Sequence, residues 1–208
     1  MLYLTVPFEQ KELAKQLGAK WDPKEKKWYV ESQNDYVKFK EWVDGCIIVK
    51  DNFLIVEGQQ SCWKCHKNTK VYAVGALSHN IIDLDRPTVS VQKDTGYDLQ
   101  LWALNDEIPK KIREELSTKF GCKFKYSYTE KRNYFANVCS HCDSLQGNFF
   151  LYNEPDSPFG YMNDSELTIY KYDLKEDVGS WLVLDRSISP DYFYLRRCKY
   201  ANVTCFFD

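Results

Sequence analysis

Two Cys-x-x-Cys pairs, Cys62-Trp63-Lys64-Cys65 and Cys139-Ser140-His141-Cys142, constrain this chain more than any other feature. Two intervening residues let one tight turn aim both sulfurs at a single ion, while the amides of the turn face the sulfur charge. Two such turns supply four thiolates, the set that suits a tetrahedral zinc ion with Zn–S distances of about 2.3 Å. Cys62, Cys65, Cys139 and Cys142 are therefore expected to share one structural Zn2+. The alternatives are two unrelated buried pairs, or a redox motif, although a redox Cys-x-x-Cys occurs singly and near a βαβ pattern.

Each pair resembles the knuckle of a zinc ribbon. The departure is the separation: residues 66–138 lie between the pairs, against a common spacing of roughly 15–20. The resemblance implies a split ribbon whose halves flank an insertion at 66–138. Many ribbons place Gly after the second cysteine, where the chain turns through positive φ. Asp143 stands there instead, and aspartate tolerates that region better than most residues.

Bulk properties bound the rest. The chain has 208 residues, enough to bury a core, and 16% aromatic content, with 15 Tyr and 12 Phe, which favours strand-rich structure. A net charge of −2 gives no global field toward nucleic acid or anionic membrane. Met1–Pro7 is too short for a signal peptide, and no run of 18 apolar residues spans a membrane. A reducing cytoplasm is the expected compartment, which leaves thiols free for metal. Cys46, Cys122, Cys198 and Cys205 read as small buried hydrophobes. Cys198 and Cys205 match no knuckle spacing.

From the start, Leu2–Val6 alternates as a strand and Pro7 ends it. Glu9–Leu17 predicts a helix with Leu13, Ala14 and Leu17 as its apolar stripe, stopped by Gly18. Lys27–Val30 is a second strand. Asn34 or Asp35 then caps a second helix with Tyr36, Phe39, Trp42 and Val43 on one face. Val6-Pro7-Phe8, Lys11, Ala14-Lys15, Leu17-Gly18-Ala19-Lys20-Trp21-Asp22 and Lys27-Trp28-Tyr29-Val30 closely resemble a small bacterial domain of unknown function. That domain is found at the ends of plasmid-borne primases and other mobile-element proteins. The resemblance implies company rather than chemistry. Trp21 and Trp28 bracket a turn carrying Lys24, Lys26 and Lys27, so they either stack on bases beside phosphate-binding lysines or close a small core.

Cys46–Lys50 and Phe53–Val56 flank Asp51-Asn52 and predict a hairpin. Val71–Val74 is a strand leaving the first knuckle. Residues 78–100 read as a solvated loop, with Arg86 as a partner for Asp83, Asp85, Asp94 or Asp98. Asp106–Phe120 predicts a helix capped by Asp106, with Pro109 in its first turn, Ile112, Leu116 and Phe120 on one side, and Gly121 as its stop.

Residues 110–132 hold eight basic residues, Lys110, Lys111, Arg113, Lys119, Lys123, Lys125, Lys131 and Arg132, against three acidic, Glu114, Glu115 and Glu130. Tyr126, Tyr128 and Tyr134 are interleaved or adjoin. This is a candidate groove for single-stranded nucleic acid built on Lys123, Lys125, Lys131, Arg132, Tyr126 and Tyr128, with Trp21, Lys27 and Trp28 as a second candidate contact. The bland counterpart is a solvated helix face followed by an ordinary strand. Phe149–Tyr152 reads as a strand, as do Leu167–Tyr170, Trp181–Leu184, Tyr192–Leu195 and Val203–Phe207. Residues 151–194 hold nine acidic residues against three basic, which suits a protein partner with a basic surface or a cover for the basic insertion.

No catalytic set emerges. His66 and His141 adjoin the knuckles as supporting groups or substitute ligands, and His79 stands apart. The His-x-Glu of zinc deaminases, the P-loop, Gly-x-Ser-x-Gly and dinucleotide glycines are missing. A zinc held by four cysteines has no open position to activate water. The expected fold is α+β: a small β-α-β-α module at 1–44, then a strand-rich zinc-ribbon-like domain at 45–208 with an inserted helix. The expected function is that of a non-catalytic, zinc-binding, nucleic-acid-associated accessory protein. A protein–protein interaction or inhibitor module of a mobile element is the alternative, and an uncharacterised enzyme the lesser one.

Overall fold

Three short antiparallel strands open the chain: β1 (Leu2–Leu4), β2 (Lys20–Asp22) and β3 (Lys27–Val30), in the order β1-β3-β2. The computed structural model describes residues 1–85, 99–160, 163, 165–174, 182–184, 189–191 and 198–200. Strand β2 is not legible in the sequence, because Lys20-Trp21-Asp22 has no apolar alternation. The expected first helix is a 3₁₀ turn at Phe8–Gln10 followed by α1 (Lys11–Gln16), and Gly18 leaves it at φ +102. Its apolar stripe is corrected: only Ala14 is buried, while Leu13 is 49% and Leu17 41% exposed. The second helix is also corrected. Gln33–Trp42 is 3₁₀, entered from Ser32, with no side-chain cap. Its buried residues Tyr36, Phe39 and Trp42 recur every third position, which matches three residues per turn.

Strand β4 (Ile47–Val49) corrects the expected hairpin. It pairs with β7 (Ile81–Asp83) and β13 (Leu182–Leu184), not with its neighbour in sequence, β5 (Asn52–Ser61). Asp51, at φ +62, turns a corner between two sheets instead. Alternate side chains of β4 serve different cores. Ile48 packs with Leu2, Leu4, Val30, Tyr36 and Phe39, whereas Ile47 and Val49 face the central core.

The central sheet has six strands. Strand β5 pairs with β6 (Asn68–Leu77), and β8 (Leu99–Trp102), β12 (Leu167–Asp173), β14 (Ser189–Asp191) and β15 (Cys198–Tyr200) complete the order β14-β8-β6-β5-β12-β15. All its pairings are antiparallel except β12 with β15. The unbroken run Phe53–Val56 follows from burial on both faces. Phe53 and Ile55 meet Ile112 and Leu116 of α2 (Lys110–Phe120), and Leu54 and Val56 meet Leu151 and Phe159.

Helix α2 ends at Gly121 with φ +71, as expected. Asp106 does not cap it. Asn105 takes the Glu107 and Ile108 amides, while Asp106 accepts the Phe135 amide at 2.9 Å and Arg132 at 3.1 Å. Strands β9 (Lys123–Ser127), β10 (Arg132–Val138) and β11 (Leu145–Gln146) form a small sheet in the order β11-β10-β9. The expected strand at Phe149–Tyr152 is helix α3 (Asn148–Tyr152). Trp181, the expected strands at 192–195 and 203–207, Arg86, Asp94, Asp98 and Cys205 lie outside the described residues.

Candidate metal centre

Each Cys-x-x-Cys is the turn of a hairpin. Strands β5 and β6 pair as far as Ser61 with Asn68, and β10 and β11 as far as Val138 with Leu145. In the first knuckle Cys62 donates its amide to the Lys67 carbonyl at 2.9 Å, and His66 donates to the Cys62 carbonyl at 2.9 Å. In the second, Cys139 donates to Ser144 at 2.8 Å and Asp143 to Cys139 at 2.9 Å. The Lys64 amide points at Cys62 Sγ and the His141 amide at Cys139 Sγ, both at 3.4 Å. These N–H groups offset thiolate charge.

The hairpins face each other and bring the four sulfurs together. Cys62 and Cys142 Sγ are 3.6 Å apart, Cys65 and Cys139 Sγ 3.7 Å, and all four lie within 4.8 Å of one another. A disulfide would need about 2.05 Å. A tetrahedron of sulfurs at about 2.3 Å from a central zinc has edges of about 3.8 Å. The four cysteines can therefore hold a metal ion.

Contacts between the hairpins fix this geometry. Trp63 Nε1 donates to the Leu145 carbonyl at 2.7 Å, the Ser140 amide to Thr69 Oγ1 at 3.1 Å, and Gln60 Nε2 to Gln146 Oε1 at 2.8 Å. Gln146, fully buried, also donates to the Ser144 carbonyl at 2.9 Å and reaches Cys62 Sγ at 3.5 Å. His141 Nε2 lies 3.0 Å from the Asn68 carbonyl, so its ring ties the knuckles together rather than replacing a cysteine. Nothing in the sequence marked Gln146 or Thr69, because their partners are remote in the chain.

The thiols are not equivalent. Hydrogen bonds from Ser144, first its hydroxyl and then its amide, draw the Cys142 thiol down to about 6. The Cys139 thiol is also lowered: burial opposes ionisation, but the His141 and Cys142 amides outweigh it. At Cys65 the Lys67 amide favours the thiolate, yet desolvation and the other three sulfurs prevail and push it up to about 11. Without a cation the cluster keeps at least one proton at neutral pH, and a bound cation displaces it. Cys122 is separate: burial raises its thiol to about 12 and it lies against Asn137, as a buried small hydrophobe should.

The basic stretch is divided between α2, which carries Lys110, Lys111, Arg113 and Lys119, and the β9–β10 hairpin. Asp143 accepts Lys123 at 2.6 Å and also Lys125, and the two ammonium groups hold its carboxyl below the usual carboxylate range. Arg132 pairs with Glu130 at 3.0 Å and Asp106 at 3.1 Å. Lys131 sits exposed in the β9–β10 turn at φ +54. Tyr126 and Tyr128 are exposed. Trp21 is exposed and Trp28 half-buried, their rings edge-to-face at 5.5 Å, with Lys27 exposed beside them. This pair lies in the N-terminal sheet, whereas the tyrosines lie on β9 and its turn. Elsewhere, the buried carboxylate Glu57 is taken up by Lys70 at 2.9 Å and Tyr170 at 3.0 Å. No described helix is long and apolar enough to cross a membrane.

Residues 1–44 match the family described as "Domain of unknown function (DUF5710)". The same segment is similar to two Escherichia coli proteins named DNA primase TraC. One is 42% identical over 43 residues, covering 21% of this chain and 3% of the primase. The other is 48% identical over 40 residues, covering 19% of this chain and 4% of the primase. The chain thus spans only a few per cent of the length of these relatives, and the likeness links its N-terminal residues to a short stretch of DNA primases. No solved structure matches the chain.

Proposed function

We propose that this protein is a non-catalytic accessory factor of nucleic-acid metabolism in a mobile element, with its middle held by a structural zinc. The observation that carries the metal assignment is the sulfur geometry: spacings of 3.6 and 3.7 Å fit the edges of a zinc–thiolate tetrahedron. Four protein ligands close the coordination sphere, so the ion organises the fold as in a split zinc ribbon and activates no water. Nucleic acid as the partner is supported by the primase-linked N-terminal domain and by the exposed Tyr126, Tyr128 and Lys131 of the β9–β10 hairpin. The test is binding of the zinc-loaded protein to labelled single-stranded DNA, duplex DNA and RNA over a salt series. Binding that weakens steeply with salt supports the proposal. The absence of binding to all three at low salt overturns its nucleic-acid half.

A second reading, a protein–protein interaction module, is favoured by one observation. Phe8, Leu13 and Leu17 of the N-terminal domain are 75%, 49% and 41% exposed, although each is large and apolar. It predicts a stable complex that survives nuclease treatment.

A further inference from the structure

We infer that the aromatic edge of the β9–β10 hairpin, carrying Phe124, Tyr126 and Tyr128, is a base-stacking strip for single-stranded nucleic acid. This rests on the nucleic-acid reading above and names the surface that would serve it. Strand β9 is the edge of its sheet. Its side chains alternate: Lys123 and Lys125 turn to Asp143 of the second knuckle, while Phe124 and Tyr126 point the other way and Tyr128 follows in the turn. Positions two apart on a strand are about 6.6 Å apart, which makes Phe124 and Tyr126 neighbours on one face, and the Tyr128 ring in the turn meets Tyr126 edge-to-face. They are 52%, 47% and 88% exposed. Phe124 leans on Phe135 at 5.5 Å and Tyr126 on Tyr128 at 5.2 Å, but Tyr126 lies opposite Asn133, which gives it no apolar cover.

Charge decides the occupant. Arg113 of α2 places its guanidinium 5.4 Å from the Phe124 ring centre, and Lys131 is exposed in the adjoining turn. The acidic residues nearby are already engaged: Glu130 and Asp106 by Arg132, Asp143 by Lys123 and Lys125. Cations beside exposed rings suit a polyanion whose bases stack while its phosphates meet arginine and lysine. Exposed surface rings stack most readily on bases whose faces are free, and single strands expose those faces where a duplex buries them, so the ligand is single-stranded. Lys123 and Lys125 hold β9 to the knuckle and make no primary contact with the ligand.

Fluorescence anisotropy of a labelled oligothymidylate with the zinc-loaded full chain tests this. Tyr126→Ala with Tyr128→Ala should weaken binding at least tenfold without changing the salt slope, because phosphate contacts remain. Tyr126→Phe with Tyr128→Phe should bind like the wild type. Both pairs are surface changes, and unchanged zinc content and melting temperature verify folding. If the alanine pair binds as tightly as the wild type, or duplex binds as well as single strand, the strip assignment is wrong while nucleic-acid binding itself stands. If the wild type binds no nucleic acid, the parent reading fails and the strip with it.

Discussion

His66 and Asp143 hold the same place in the two knuckles: each follows the second cysteine of its pair, and each turns the chain through the left-handed region, at φ +58 and +59. Neither is glycine. The conformation costs an ordinary L-residue about 1–2 kcal/mol, least for small polar side chains. His66→Val should lower stability by about 1–2 kcal/mol in urea unfolding of the zinc-loaded protein, and Asp143→Val by more, because it also removes the partner of Lys123 and Lys125. His66→Gly should be neutral or slightly stabilising. Equal stability of the valine and glycine variants would show that the turns relax.

Metal removal should have a far larger effect. Structural zinc in finger peptides contributes about 10–16 kcal/mol of apparent binding free energy at neutral pH, against a typical net domain stability of about 5–15 kcal/mol. Native mass spectrometry of reduced protein should show one zinc per chain. Chelation should abolish the ordered knuckle hairpins and sharply lower the melting temperature, as should Cys65→Ser or Cys139→Ser. An unchanged circular dichroism melt after chelation would count against the centre.

The thiol ionisation gives the pH dependence its sign. Cys65 keeps its proton up to about pH 11 without metal, so zinc binding at neutral pH displaces at least that proton. Rising pH therefore tightens binding, by at least about tenfold per pH unit between 7 and 9. Below about pH 6 Cys142 also takes up a proton, and the dependence steepens. Calorimetry in buffers of different ionisation enthalpy measures the protons released. A pH-independent affinity would show all four sulfurs already ionised.

Asn137 docks the inserted hairpin on the central sheet. It is 1% exposed, accepts the Tyr72 amide at 2.7 Å and donates to the Tyr72 carbonyl at 2.8 Å. One side chain thus stands in for a neighbouring strand at that point of β6. Asn137→Ala leaves two buried backbone groups unpaired, each worth about 1–3 kcal/mol, and should destabilise by about 2–6 kcal/mol. Asn137→Asp keeps the acceptor and loses the donor, so it too should destabilise. Denaturant midpoints for the two variants provide the check.

These contacts explain which parts of the molecule sequence reasoning reaches. Cysteine spacing, the Gly121 stop and the Asx-tolerant turn at Asp143 are local, and each appears as expected. The misread elements depend on distant partners. Apolar runs around Asp51 look alike whether the chain folds back or turns a corner, and only the docking of β7 and β13 onto β4 decides. Phe149–Leu151 is too short a run for period to separate strand from helix. Asp106 has the composition of a cap but is drawn to Phe135 and Arg132 across the fold. Counting lysines at 110–132 likewise could not reveal that Asp143 takes two of them.

The family boundary at residue 44 is not a boundary of the core. Ile48 and Leu84, both beyond it, are buried with Leu2, Leu4, Tyr36 and Phe39, and the Thr5 amide donates to the Trp42 carbonyl at 2.7 Å. In this chain the small domain thus completes its interior with β4, as expected where so few residues must fill a core. Ile48→Ala opens a cavity in that shared interior and should cost about 2–5 kcal/mol. The effect should appear in the N-terminal tryptophan signals of Trp28 and Trp42. A fragment of residues 1–44 should melt without a cooperative transition, and extending it through Leu84 should restore one. If the short fragment melts cooperatively at the temperature of the whole chain, Ile48 and Leu84 only cover a core that is already complete.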